Sequence, residues 1–174
     1  MSRAVVVIGI GNPFRGDDAA GLMAVQRMAD LNREAGIEVL LHEGDGAALL
    51  ELWTGAEAVV LVDTVRSGAS PGTIHRVDAS ASPVPQPLSG ISSHAVGVAQ
   101  AIELSRALGS LPPQVLVCGV EGSSFETGAG LSGAVAATIE RLADAVHSEA
   151  MSLAQGQLCS GTTRTGRLEW CTTA

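Results

Sequence analysis

Apolar residues in this chain fall into short, β-branched blocks separated by stretches of helical spacing. Residues 4–10 (AVVVIGI) are apolar without alternation, the pattern of a strand covered on both faces. Leu22, Val25, Met28, Ala29 and Leu31 then recur with the period of a helix that starts near Gly16 or Asp17. The same patterning predicts a strand over 37–41, a short helix over 46–53 ended by Gly55, and a strand over 57–65 (EAVVLVDTV). Residues 70–77 (SPGTIHRV) open on a Pro-Gly turn and alternate, which predicts an edge strand or hairpin arm. The Pro- and Ser-rich stretch 78–90 reads as an exposed loop. A helix follows over 92–109, N-capped by Ser92 or Ser93 and closed by Gly109. The last strand covers 114–120, a Gly-rich loop 121–130, and the last helix 131–150. Periodicity then stops, so residues 151–174 are expected to form a flexible C-terminal tail.

Strands alternating with helices predict an α/β domain over residues 1–150. The expected architecture has three layers: a mostly parallel five-stranded sheet, helices on both faces, and one antiparallel edge strand or hairpin arm. Ligands of such sheets bind in the crevice at the carboxyl ends of the strands. Three segments bring polar groups there: Asp17-Asp18 after the first strand, Asp63 at the end of the third, and His94 at the head of the helix after the Pro-rich loop.

Composition narrows the choice of ligand. The 174 residues are 46% hydrophobic but only 2% aromatic, so the core must be aliphatic. Formal charge is −8, and all ten cationic side chains are Arg. A net-acidic chain without a basic block suits neither nucleic acid nor an anionic membrane. Cys118, Cys159 and Cys171 are too far apart for a zinc site or a redox pair, and Cys118 reads as a small core residue. The apolar run at the N-terminus is too short to span a membrane and lacks a signal-peptide cleavage region, so a cytoplasmic protein is expected.

The opening turn, GIGNPFRGDDAAG (9–21), resembles a dinucleotide fingerprint only at first sight. The third glycine of G-x-G-x-x-G falls on Phe14, there is no G-K-[ST], and two acids would compete with a phosphate for the helix start. Asp18, Asp63 and His94 form a three-ligand set for a cation, with positions left for substrate or water. Each also has a plainer role: Asp18 stabilising a helix start, Asp63 capping a turn, His94 standing on the surface. His42, His75 and His147 lack comparable placement.

These segments, in order, resemble the hydrogenase maturation endopeptidases: GIGNPFRGDDAAG, VVLVDTVRSGASPGTIHRV, SSHAVGVAQAIELSRALG, VCGVEG and GLS. The resemblance covers about residues 4–148. It implies an α/β sandwich and a protease that removes the C-terminal extension of a nickel–iron hydrogenase large-subunit precursor after nickel insertion. It also implies that Asp18, Asp63 and His94 contact the metal, with nickel carried by the substrate rather than resident in the enzyme. Some relatives carry Glu at the position of Asp18, and many have Pro after the Ser of the segment that is LSGAV (131–135) here. Asp17 receives no ligand role. A non-enzymatic nickel-binding chaperone and a nucleotide-binding module are the rival readings.

Overall fold

The computed structural model describes residues 3–31, 36–43, 46–84 and 97–156. Five strands form one sheet: β1 (Arg3–Ile10), β2 (Ile37–His42), β3 (Ala56–Val65), β4 (Ile74–Asp78) and β5 (Gln114–Glu121). Their order is β2-β1-β3-β5-β4, with β4 antiparallel to β5 and every other pairing parallel. The fold is therefore the three-layered α/β arrangement expected, down to the antiparallel edge.

Strand pleating sorts the core into two layers. Val5, Val7, Val60, Val62, Leu116 and Cys118 face α1 (Ala20–Leu31) and the last helix. Val6, Ile8, Val59, Leu61, Val115 and Val117 face α2 (Gly46–Leu52) and α3 (Val98–Ala107). Among the described residues Trp53 is the one fully buried aromatic in this aliphatic interior, and its indole N–H donates to Ser105 Oγ at 3.3 Å. Burial pushes the Cys118 thiol up to about 12, as befits an inert core residue.

Two stretches depart from expectation. The helix predicted over 131–150 breaks into α4 (Gly133–Ala136) and α5 (Ile139–Ala154). Buried Thr138 sits at the break, its hydroxyl placed to donate to Ala134 O at 3.0 Å and Gly72 O at 3.3 Å. The helix also runs past 150, with Leu153 buried in the core. In the Pro-rich stretch, Ala79 and Val84 are buried rather than exposed. The Arg106 guanidinium explains this: it donates to the carbonyls of Ala79, Ser80 and Ser82 and holds that strand exit against α3. The remainder of that loop (85–90) and the residues Ser92, Ser93 and His94 lie outside the described residues.

β1 and β3 are neighbours, but the chain leaves β1 toward β2 and leaves β3 toward the opposite edge. The carboxyl ends of β1 and β3 therefore flank the switch point where open α/β sheets form their binding crevice. Gly21 in α1 lets that helix lie directly on the crevice floor, since a Cβ there would collide with the carbonyl oxygens of Ile10 and Val62. Gly21→Ala is expected to lower unfolding free energy by about 1–3 kcal/mol through overpacking. Gly133→Ala, at a helical site with nothing within 4 Å of the new methyl, should be neutral or stabilising by up to about 1 kcal/mol. Equal denaturation midpoints for Gly21→Ala and wild type would contradict this packing.

Candidate active site

The turn after β1 is shaped by backbone contacts that only small residues permit. Gly11 adopts φ +151 and a Cβ there would run into the Asp18 carbonyl, while Asn12 N–H donates to that same carbonyl at 3.2 Å. Gly16 adopts φ +53 against Ser124 O. The turn ends in a single 3-10 turn, Gly16–Ala19, in which all four residues are buried.

Asp17 and Asp18 are adjacent but have different surroundings. The Asp17 carboxylate turns toward the loop after β5. It accepts the backbone N–H groups of Ser123 (2.8 Å), Ser124 (2.9 Å) and Ser132 (2.6 Å), and the hydroxyls of Ser132 (2.9 Å) and Ser123 (3.3 Å). Its backbone is held too: Thr64 Oγ1 donates to Asp17 O at 2.6 Å, and Asp17 N–H donates to Ser124 O at 2.7 Å. Burial pushes this carboxyl up, but the three N–H donors and the Ser132 hydroxyl outweigh it and hold it below the usual carboxylate range. Asp17 is thus an anchor, in keeping with its having no ligand role.

Asp18 and Asp63 both lie at the switch point, near enough for the charge of Asp18 to act on Asp63. Both are buried, 3% and 6% exposed. Asp63 lies near the end of β3 on the face covered by α2 and α3, and its Oδ1 accepts the Thr64 N–H at 2.7 Å. Burial pushes the Asp63 carboxyl up to about 7, the Thr64 bond opposes this, and the negative charge of Asp18 adds to it. A buried carboxyl whose ionisation is opposed by burial and by a neighbouring buried acid favours a cation or a retained proton. The structure thus brings two of the three expected residues together, and His94, the third, falls outside the described residues. A carboxyl that titrates near neutrality is also suited to proton transfer at physiological pH.

A fourth buried acid, Glu121, was not among the residues singled out from the sequence. Glu121, at the end of β5, accepts Ser67 N–H (2.9 Å), Gly68 N–H (2.9 Å) and the Ser67 hydroxyl (2.7 Å). His75 Nε2 lies 3.1 Å from Glu121 Oε2, and both residues are 3% exposed. Burial pushes the Glu121 carboxyl up, but Ser67, Gly68 and His75 outweigh it and hold it low. With Glu121 ionised, His75 Nε2 is the donor and its buried Nδ1 has no partner. The signals were in the sequence: His75 alternates with Val77 toward the interior, and Glu121 continues an apolar run.

Known proteins give this geometry a context. A family model described as hydrogenase maturation protease matches residues 25–149. The hydrogenase expression/formation protein HupD of Rhodobacter capsulatus is 30% identical over 145 residues, covering 82% of this chain and 69% of that protein. The solution structure of an endopeptidase from Escherichia coli superposes with a TM-score of 0.73 at 26% identity, over 82% of this chain and 89% of that one. The crystal structure of a [NiFe] hydrogenase maturation protease HycI from Thermococcus kodakarensis shares the fold, with a TM-score of 0.64 at 23% identity over 84% and 91% of the two chains.

Two outcomes follow for the acids. Asp17→Ala strips the acceptor from three backbone donors and is expected to lower unfolding free energy by about 3 kcal/mol, measured by chemical denaturation at neutral pH. A loss within about 0.5 kcal/mol would mean the anchor is dispensable. Asp63 behaves in the opposite sense. Folded, it keeps its proton to about 7, whereas an unfolded aspartate loses it near 3.8. Between those values the folded state binds more protons, so stability falls as pH rises, on the order of 4 kcal/mol at full ionisation. Asp63→Asn should therefore be more stable than wild type above about pH 8 in chelator-treated buffer, with the gap closing near about pH 4. Parallel pH profiles for the two proteins would show that Asp63 is not strained.

Proposed function

This chain belongs to the hydrogenase maturation protease family, and on that premise we propose that it removes the C-terminal extension of a nickel–iron hydrogenase large-subunit precursor. In this reading it acts after nickel insertion, and Asp18, Asp63 and His94 engage the substrate's nickel. The observation that carries the proposal is the pair of buried carboxylates, Asp18 and Asp63, at the switch point of the sheet. Such a pair is costly when empty and is relieved by a divalent cation, so it discriminates a metal-loaded precursor from an empty one. Carboxylate and imidazole donors suit nickel presented by a protein with coordination positions to spare.

The chemistry required of the chain is peptide hydrolysis. Water adds to the scissile carbonyl, the C–N bond breaks, and the released amine takes up a proton. Asp63, titrating near neutrality, is the group placed to accept the proton of the attacking water and return one to the leaving amine. Asp18, close enough for its charge to act on Asp63, holds the cation and keeps the neighbouring carboxyl basic. Cys118 is sealed in the core and His75 is committed to Glu121, so neither serves a nucleophile–base pair.

A nickel-binding chaperone without proteolytic activity would use the same donors. Processing of nickel-loaded precursor, followed by gel shift and intact mass, separates the two. The purified protein is expected to yield a shortened large subunit. Asp18→Asn, Asp63→Asn and His94→Ala should each lower the rate at least about 100-fold while keeping the circular dichroism of wild type. Stable complex formation with no shortened product would establish the chaperone instead, and wild-type rates in all three variants would remove these residues from the site.

A further inference from the structure

Next to the crevice stands a cation, Arg66, that the reaction outlined above does not use. Arg66, the first residue after β3, is exposed, and its guanidinium carbon lies 3.7 Å from the centroid of the Phe125 ring. That ring rests on Gly122 beside Thr64: a Cβ at Gly122 would come within 2.5 Å of Phe125 and 2.7 Å of Thr64 Cγ2. The stack therefore abuts the residue that follows Asp63 and tethers Asp17.

Arg66 differs from the chain's paired arginines in what it leaves free. Arg27 bonds Glu140, Arg76 bonds Glu149, and Arg106 bonds Glu103 and three carbonyls. Arg66 engages the face of a ring and nothing else among the described residues, so the in-plane N–H groups of its fork are unspent. A guanidinium stacked on an aromatic face keeps its edge for a carboxylate and loses little freedom on binding one.

The backbone under Arg66 is fixed as well. Glu121 accepts the N–H groups of the next two residues, Ser67 and Gly68, and Gly122 N–H donates to Val65 O at 3.0 Å. His75 closes the same network from β4. A buried carboxylate with four donors thus serves to hold a short loop whose leading residue is an exposed, ring-stacked cation. In a chain of net charge −8 that would otherwise repel an anionic segment, this is a local exception at the rim of the site.

We propose that Arg66, held by Phe125 and by the Glu121 network, is a specificity residue that grips a carboxylate on the partner's C-terminal segment as that segment leaves the crevice. The proposal rests on the protease reading for the identity of the partner, but it concerns binding rather than cleavage. Asp63 projects toward α2 and α3, whereas Thr64 and the Phe125 ring lie on the other side of the sheet. A chain running from the acid pair to Arg66 therefore crosses the upper edge of β3. Arg66 would thus sort precursors by the charge of their tails while the acid pair reads the metal.

Affinity and processing of the nickel-loaded precursor are measured separately for wild type, Arg66→Ala, Arg66→Glu and Phe125→Ala. Arg66→Ala is expected to weaken binding about tenfold and Arg66→Glu further, with kcat and melting temperature unchanged. Phe125→Ala, which keeps the charge but frees it, should give a smaller loss. Salt should weaken wild-type binding more steeply than Arg66→Ala. Amidating the precursor's chain end, and separately replacing the acidic side chains of its extension by amides, identifies the carboxylate: the matching change abolishes the difference between wild type and Arg66→Ala. Wild-type affinity in Arg66→Glu, or a wild-type protein that does not bind the precursor, overturns the proposal. Weakened binding by the Arg66 variants with no cleavage by wild type sustains it and refutes the protease reading alone.

Discussion

Asp17 shows how a buried charge is held without a counter-ion, and the shape of the site depends on it. Its carboxylate satisfies three backbone N–H groups and two hydroxyls from a loop more than a hundred residues away in sequence. Charge-assisted bonds of this kind are short and strong because the anion meets dipoles already fixed by the fold. The same residue takes the Thr64 hydroxyl on its carbonyl. One aspartate thus ties the exits of β1, β3 and β5 together. Gly16 N–H to Ala129 O (3.2 Å) and Gly128 N–H to Phe14 O (2.8 Å) reinforce that tie, so the turn that carries Asp18 is fixed against the loop after β5.

The contrast with Asp63 separates stability from function. Asp17 is buried and its carboxyl is held low; Asp63 is buried and its carboxyl is raised, because it has a single N–H donor and faces another acid. A fold selected for stability alone would neutralise Asp63 or give it more donors. Retaining an under-supported acid, Asp63, at the switch point has the signature of a site that is completed by something external. Membership of the hydrogenase maturation protease family supplies the context in which that incompleteness makes sense.

Much of this architecture was legible in the sequence, because pleating and helical period are local. The unalternating runs of β1, β3 and β5 identify strands covered on both faces, and the Pro-Gly turn with alternation marks β4 as the antiparallel edge. Asp18 and Asp63 were legible for the same reason: strand ends point at the crevice whatever the tertiary detail. Contacts between distant segments were not legible. The Asp17 anchor needs the loop after β5, and the burial of Ala79 and Val84 depends on Arg106 of α3. The break at Thr138 depends in part on Gly72, far back in the chain. His75, on the expected edge strand, lacked the placement of the candidate ligands, yet its alternation with Val77 turns it inward to Glu121.

Asp17 and Glu121 solve one problem in the same way on two sides of the site. Each is a buried carboxylate at the carboxyl edge of the sheet, and each gathers backbone N–H groups of a loop that has no regular structure of its own. Loops built this way are costly to unfold locally, because releasing one strands a buried anion. The rim is therefore preorganised although the chain has no Lys and few aromatic rings with which to build it. Preorganisation matters most for an enzyme whose substrate is another folded protein, since the ordering of loops is then subtracted from affinity at each encounter. On this view the buried acids among the described residues divide into two anchors, Asp17 and Glu121, which set the banks, and Asp63 beside Asp18 between them, where burial keeps the Asp63 carboxyl raised.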